Sequence, residues 1–409
     1  MAVERLACDA DGAAAAAARV RALVPPGASV AAPVGRILAD VRERGDAAVL
    51  EVERRFGGGA MPLRVGPDEP AEALAALDPG LRAGLEVAIA NVGAVARASL
   101  GEDRIVRLPE GHAVGVREVP VRRAAVYAPG GRNPYPSSVV MGAVTARAAG
   151  VDEVVVVASH HPVILAAAAL CEVDEVYRMG GAQAIGALAY GTASVPRVDV
   201  VVGPGSLWVQ EAKRQVSGEV GIDGFAGPSD LTAIVSDDDG LEPVVLDLLA
   251  QAEHGEGSLV VAVSDRVALL DALASRLAGT PGPAVLLTAA DLDAALAFAE
   301  ALAPEHLQLA GAAAERLAPR VRSAGCLFVG GTSGTAFGDY VAGSNHVLPT
   351  GGAARFASGL SVRHFRRTLH EVRVGGAASA LARAGVPIAR AEGFAAHAAS
   401  MEIRENPAP

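Results

Sequence analysis

Four short apolar runs, "AAVYAPGG", "DEVVVVAS", "DEVYRMGG" and "RVDVVVGPG", recur between Ala124 and Gly205, and each is followed by a stretch of helical spacing. The partners are "SSVVMGAVTARAAG", closed by Gly150, "PVILAAAALCEV", opened by Pro162, "AQAIGALAYGT" and "SLWVQEAKRQVSG". A run apolar at successive positions is a strand buried on both faces, which requires a parallel sheet covered by helices. Crossovers between such strands are right-handed, so few topologies remain. "SDLTAIVSD" is expected to close this first series. A second series follows in "EPVVLDLLAQAEHG", "SLVVAVSD", "RVALLDALASRLAG", "AVLLTAA", "DLDAALAFAEALAPEH" and "AGCLFVGG". The fold class is therefore α/β, with two tandem Rossmann-like parallel-sheet units.

The flanking segments read differently. The first hundred residues look helical, with "VGRILADVRERGDAAVLEVERRF" at helical spacing up to the glycine cluster Gly57 to Gly59. Strand patterns begin at "RIVRLPEGHAVGVREVPVRR". The expected domains are residues 1–125, helical then stranded, packing with 231–351 as one α/β domain; 126–230 as a Rossmann-like cofactor-binding domain; and 352–409 as a tail. Lacking a core of its own, that tail must dock on the rest of the chain or on another copy.

With 51% hydrophobic residues and mean hydropathy +0.33, the 409-residue chain is expected to be a folded, soluble protein rather than a generally disordered one, and no stretch has the length and apolarity of a membrane span. The run Ala13 to Ala18 follows Glu4, Asp9 and Asp11 and precedes Arg19 and Arg21, the wrong charge order for a secretory signal, so a cytoplasmic location is expected. Three scattered cysteines make neither a disulfide framework nor a cysteine metal cluster. A net charge of -11 with 3% aromatic residues excludes the basic, stacking surface of a nucleic-acid binder and points to a small-molecule partner.

Several polar islands interrupt this apolar chain. Glycine turns end "VYAPGGRNPYPSS", "MGGAQAIG" and "VVGPGSLW", where helix N-termini at the carboxyl edge of a parallel sheet can take a dinucleotide; plain strand-to-helix turns explain them equally well. In "DLLAQAEHG", Gln251 and His254 fall three apart on one helical face, able to chelate a metal or merely to cap the helix end; Asp247 reads as a solvated or supporting residue. "FGDYVAGSNHVLPTGG" gathers Asp339, Asn345 and His346 in a loop, and "AEGFAAH" adds Glu392 and His397. In "LAPEHLQLA", Glu305 and His306 stand side by side after Pro304, an arrangement that by itself is usually a solvated cap.

Taken in order, "YAPGG", "GGAQAIGALAYGT", "AGPSD", "LLAQAEH", "APEHLQL", "GDYVAGSNHVLPTGG", "SGLSV" and "AEGFAAH" resemble the histidinol dehydrogenase family, in register from Tyr127 to His397. The resemblance implies NAD-dependent oxidation of L-histidinol through L-histidinal to L-histidine, with one zinc ion per subunit orienting the substrate. It implies zinc ligands at Gln251, His254, Asp339 and His397, and catalytic roles for His306 as the base that takes the alcohol proton and Glu305 as the base that activates water on the aldehyde. It implies further substrate contacts at Ser229, His346 and Glu392, and NAD contacts at Tyr127, Gln183 and Ser206. His397 would arrive from another subunit, so the tail is expected to swap in a homodimer with shared sites.

The chain departs from the family pattern in two places. Ser206 replaces an asparagine common after "GPG", a change expected to weaken NAD binding, and the loop "HHPVILAAAAL" is abbreviated, with His160 and His161 read as loop residues. Cys326 in "AGCLFVGG" is assigned to packing. The competing readings are a paralogous dehydrogenase of another polar or amino alcohol, and a non-catalytic zinc- or nucleotide-binding homologue.

Overall fold

The computed structural model describes residues 3–24, 29–55, 62–129, 133–158, 161–225, 227–237 and 241–405. Gly57 to Gly59, Gly130, Gly131, His160 and Ala226 lie outside them. The chain divides into two compact units, residues 1–99 with 121–365, and 100–120 with 366–409.

The larger unit contains two parallel sheets. One has five strands in the order Glu175–Arg178, Glu153–Ala158, Arg123–Tyr127, Val200–Val202 and Gly221–Ile222. The chain steps outward from Arg123–Tyr127 in one direction for two strands, then returns to its other side at Val200–Val202. That reversal opens a crevice at the carboxyl ends of these two strands. Helix Pro136–Ala148 packs so tightly on the central strand that a Cβ at Gly142 would overlap the side chain of Val126.

The other sheet has six strands in the order Glu4–Cys8, Ala284–Ala289, Leu259–Ser264, Asp230–Val235, His306–Ala310 and Cys326–Val329, all parallel. The expected pair of parallel-sheet units is therefore present. Asp230–Val235, expected to close the first series, instead forms the centre of the second sheet. Its buried neighbours on both sides, Leu259–Ser264 and His306–Ala310, supply the flanking hydrogen-bond ladders.

The N-terminal segment departs from the all-helical expectation and is divided between the sheets. Glu4–Cys8 is an edge strand with alternating exposure, a pattern easily lost beside the alanine run that follows. Helix Ala13–Ala22 packs with Leu292–Leu302 over the six-stranded sheet. Helices Ala31–Arg44 and Pro79–Ala98 cover the five-stranded sheet instead, on opposite faces, rather than joining 231–351. The reason is steric fit: Leu38 and Val41, on one stripe with buried Val34, meet the bare backbone of Gly186 in helix Gly181–Tyr190. Residues 352–365 also belong to this unit, since Leu360, Val362 and Phe365 are buried in the same core as Ala124 and Val126.

The smaller unit pairs Arg366–Arg373 antiparallel with Ala113–Pro120, which pairs with Arg104–Arg107. Its helices Ala378–Ala391 and Ala395–Glu402 close over a small cluster of Ala382, Val386, Ala389 and Ala398. Ile105, Val372, Ile388, Phe394 and Ile403 stay exposed in this unit. All three cysteines are free, and no helix among the described residues is long and apolar enough to cross a membrane.

Candidate active site

Glu305 and His306 reach their positions through a short, stiff connection. Helix Leu292–Leu302 is started by Asp291, whose side chain accepts from the Ala294 N–H at 2.7 Å, and it stops at Ala303, a non-glycine residue in the left-handed region (φ 48°, ψ 67°). Pro304 cannot extend the helix. The backbone carbonyl of Glu305 accepts from Cys326 N–H at 2.8 Å, and strand His306–Ala310 begins at the next residue. Both side chains are buried, Glu305 at 6% and His306 at 2% exposure, so the solvated-cap alternative does not apply.

The surrounding polar groups converge from distant segments. Glu305 Oε2 accepts from Ser229 Oγ at 2.5 Å and from Asp230 N–H at 3.2 Å, while the Glu305 N–H donates to Asp230 Oδ1 at 2.9 Å. The Gln251 amide, in the last turn of helix Leu241–Ala252, donates to Ser229 Oγ at 2.7 Å and Ser258 Oγ at 3.1 Å, and it lies 3.4 Å from His254 Nδ1 just past the helix end. His306 Nε2 lies 3.8 Å from Asp339 Oδ1. His346 Nδ1 is 2.8 Å from the Asp339 carbonyl oxygen, and its Nε2 is 3.2 Å from Ser138 Oγ. Ser138 stands in the first turn of Pro136–Ala148, the helix that follows the central strand of the five-stranded sheet. Through this contact the site touches both sheets.

Burial sets the protonation states. It drops His306 to about 4, with the neighbouring His254 and His346 lowering it further and the Asp230 backbone only partly opposing them. Its imidazole is therefore uncharged at neutral pH, and the buried Nδ1 has no partner in normal hydrogen-bond geometry among the described residues. Burial also lowers His254 and His346. Burial pushes Glu305 up to about 8, against the hydrogen bond from Ser229, and it alone pushes Asp339 up to about 6. The cluster thus joins neutral imidazoles to carboxyls that lack a compensating cation.

Such a donor set suits a divalent ion. Gln251, His254 and Asp339 combine an amide, a neutral imidazole and a carboxyl whose ionised form a cation would stabilise. Among the described residues no group of three or more His, Cys, Asp or Glu side chains is placed to hold a metal. His397, exposed in helix Ala395–Glu402, and Glu392, exposed at the end of Ala378–Ala391, belong to the smaller unit.

The three dinucleotide candidates lie at the carboxyl edge of the five-stranded sheet. Tyr127 ends the central strand, and its hydroxyl accepts from Gly181 N–H at 3.0 Å. Gln183, in the first turn of Gly181–Tyr190, donates to Glu53 Oε1 at 2.8 Å. Ser206 is the N-cap residue of Leu207–Val216 but makes no capping bond, leaving N–H groups at that helix start open. Gly203, at φ 116°, passes so close to the Tyr127 carbonyl that no side chain fits.

Other residues take places that the sequence reading matched, matched in part or did not reach. Asp247 is buried and accepts from Gln308 at 2.6 Å rather than standing in solvent. His161 caps Pro162–Leu170, accepting from Val163 N–H at 3.2 Å. Cys326 is half-buried, and burial pushes its thiol up, in keeping with packing rather than reactivity. Ser138, Glu53, Asp230 and Arg21 were not singled out, although Asp230 carried a signal: a charge opening a continuous apolar strand, next to Ser229. A cavity of about 630 Å³ lined by Cys8, Asp9, Arg19 and Ala289 lies at the carboxyl edge of the six-stranded sheet, the opposite edge from His306.

A family profile described as histidinol dehydrogenase matches residues 26–405. Histidinol dehydrogenase of Thermobifida fusca (strain YX) is 42% identical over 403 residues, covering 92% of each chain, and that of Rhizobium meliloti (strain 1021) is 40% identical over 402 residues with the same coverage. The crystal structure of histidinol dehydrogenase from Elizabethkingia anophelis superposes with a TM-score of 0.86 at 28% identity over 95% of both chains.

Proposed function

Because this chain belongs to the histidinol dehydrogenase family of oxidoreductases, we propose that it oxidises L-histidinol through L-histidinal to L-histidine, with NAD as hydride acceptor and one zinc ion per subunit. The observation that carries the reading is the burial of Glu305 beside His306, within a cluster of donors drawn from four distant segments.

His306 accepts the alcohol proton: its buried imidazole is uncharged and free to receive one, while the burial that lowers it to about 4 also weakens it as a base. NAD, when bound, would supply the hydride acceptor that turns the carbinol into the aldehyde. The aldehyde must gain water before a second hydride can leave, and Glu305 takes the proton from that water. A carboxyl pushed up to about 8 by burial makes a stronger base, once ionised, than an exposed one. Ser229 holds the carboxylate and would contact the substrate. His346, oriented by Ser138 and the Asp339 backbone, presents a neutral ring to the substrate imidazole.

Gln251, His254 and Asp339 would hold the ion, with His397 supplied by the tail of a second copy in a cytoplasmic homodimer. Zinc, when bound, orients the substrate amine and imidazole. Glu392 of the same tail would balance the substrate's ammonium charge. Tyr127, Gln183 and Ser206 would bind NAD, for which the reversal of strand order at Tyr127 is a supporting feature.

One experiment tests these elements together. Metal-stripped and zinc-restored protein is incubated with histidinol and NAD, and NADH is counted against histidine formed, beside a panel of other polar and amino alcohols. Two NADH per histidine, dependent on restored zinc, is expected. Faster turnover of another alcohol, or one NADH per product, would overturn the assignment.

A further inference from the structure

We propose that Arg21 and Asp230 form a buried clasp that positions Glu305 for the aldehyde half of the reaction. The inference rests on the role of Glu305 given above, and its geometry comes from groups with no part in that role. Asp230 is fully buried, at 0% exposure, in the centre of the six-stranded sheet. Its two carboxylate oxygens are divided between partners: Oδ2 pairs with Arg21 Nη1, and Oδ1 accepts the backbone N–H of Glu305 at 2.9 Å. The Asp230 N–H in turn donates to Glu305 Oε2 at 3.2 Å. One residue thus holds both the backbone and the side chain of Glu305.

Arg21 completes the arrangement. Its Nη2 donates to the carbonyls of Leu302 and Ala303 at 2.7 and 3.3 Å. These carbonyls end helix Leu292–Leu302, where no further turn offers N–H groups to donate to them. The guanidinium therefore ties the last helical residue, the left-handed Ala303 and the Asp230 carboxylate into one rigid corner. From that corner the chain has only Pro304 to cross before Glu305. A planar, always-charged fork suits this task, and a lysine, with three donors at one point, reproduces it poorly. The buried Asp230 carboxylate, without Arg21, would lose its charge partner and turn away or take up a proton.

Arg21 and Asp230 are positioning residues, since neither reaches the proposed reacting atoms. Displacing a catalytic group by about 1 Å is enough to lose on the order of a hundredfold in rate. The test uses the full-length zinc-loaded protein with histidinal and histidinol assayed separately, and four variants: R21M, R21K, the double variant R21M/D230N, and E305Q. The double variant removes the stranded buried charge, while the amide oxygen it introduces can still accept from Glu305 N–H, so it guards against a simple folding failure. In R21M, kcat on histidinal should fall by roughly tenfold or more with KM changed less than about threefold. R21K should recover only part of this loss, and the double variant should lose no more than R21M, because the two residues act as one unit. Wild-type kcat on histidinal in a folded R21M or R21M/D230N protein, with only the melting temperature lowered, would overturn the clasp. Full histidinal oxidation by E305Q would instead overturn the role of Glu305 itself.

Discussion

At the scale of single residues, the site is an unfavourable place to keep charge, and its stability should show it. Burial raises the Glu305 carboxyl from an ordinary value of 4.5 to about 8, so between these values the folded protein retains a proton that the unfolded chain has released. Stability therefore falls as pH rises through that window. Replacing Glu305 by Gln, which does not titrate, should raise the melting temperature of chelator-treated protein more at pH 8.5 than at pH 5. Equal changes at both values would show that burial of the charge is not what burdens this position. Much of the residue-level site was legible in advance: Glu305, His306, Gln251 and His254 are polar groups at helix ends or strand starts in a chain otherwise rich in alanine and valine. Arg21 was not, because it sits on the surface-like face of an alanine helix and its partner lies 209 residues away.

At the scale of elements, the connection from helix to strand carries the proposed acid–base pair, and its start is as important as its end. Asp291 caps helix Leu292–Leu302 through the Ala294 N–H. Asp291→Ala should lower stability by about 1 kcal/mol in denaturant unfolding while leaving catalysis nearly unchanged, since the corner at Ala303 is held separately by Arg21. A change below a few tenths of a kcal/mol would mean the cap contributes nothing. Gly142→Ala, which forces a methyl group into Val126, should cost about 1–3 kcal/mol by the same measurement. The parallel strands were readable because each is a run of Val, Leu or Ala buried on both faces. The edge strand Glu4–Cys8 was not, since it alternates and is only five residues long.

At the scale of the whole molecule, the sequence told less about which pieces go together. Whether helices 31–98 join one sheet or the other depends on three-dimensional fit, such as the bare Gly186 beneath Leu38, and no periodicity encodes a choice between two equally apolar surfaces. The grouping of residues 100–120 with 366–409 is equally hidden, because it is an antiparallel pairing across some 250 residues. If His397 serves a second copy's site, two dead variants should rescue each other. Mixing H306N and H397A protein after reversible dissociation should restore about a quarter of wild-type activity, from hybrid dimers holding one intact centre. No recovery in demonstrably exchanged dimers would place both residues in a single chain's site. The two parallel sheets have a further consequence for how such a protein can change over time. Glu305 and His306, the proposed acid–base pair, stand at the amino end of one sheet, while the dinucleotide candidates line the carboxyl end of the other. On the proposed reading, a swap such as serine for asparagine at 206 would fall on the coenzyme side, and the Ser138–His346 contact is where a change on that side would reach the site around Glu305 and His306.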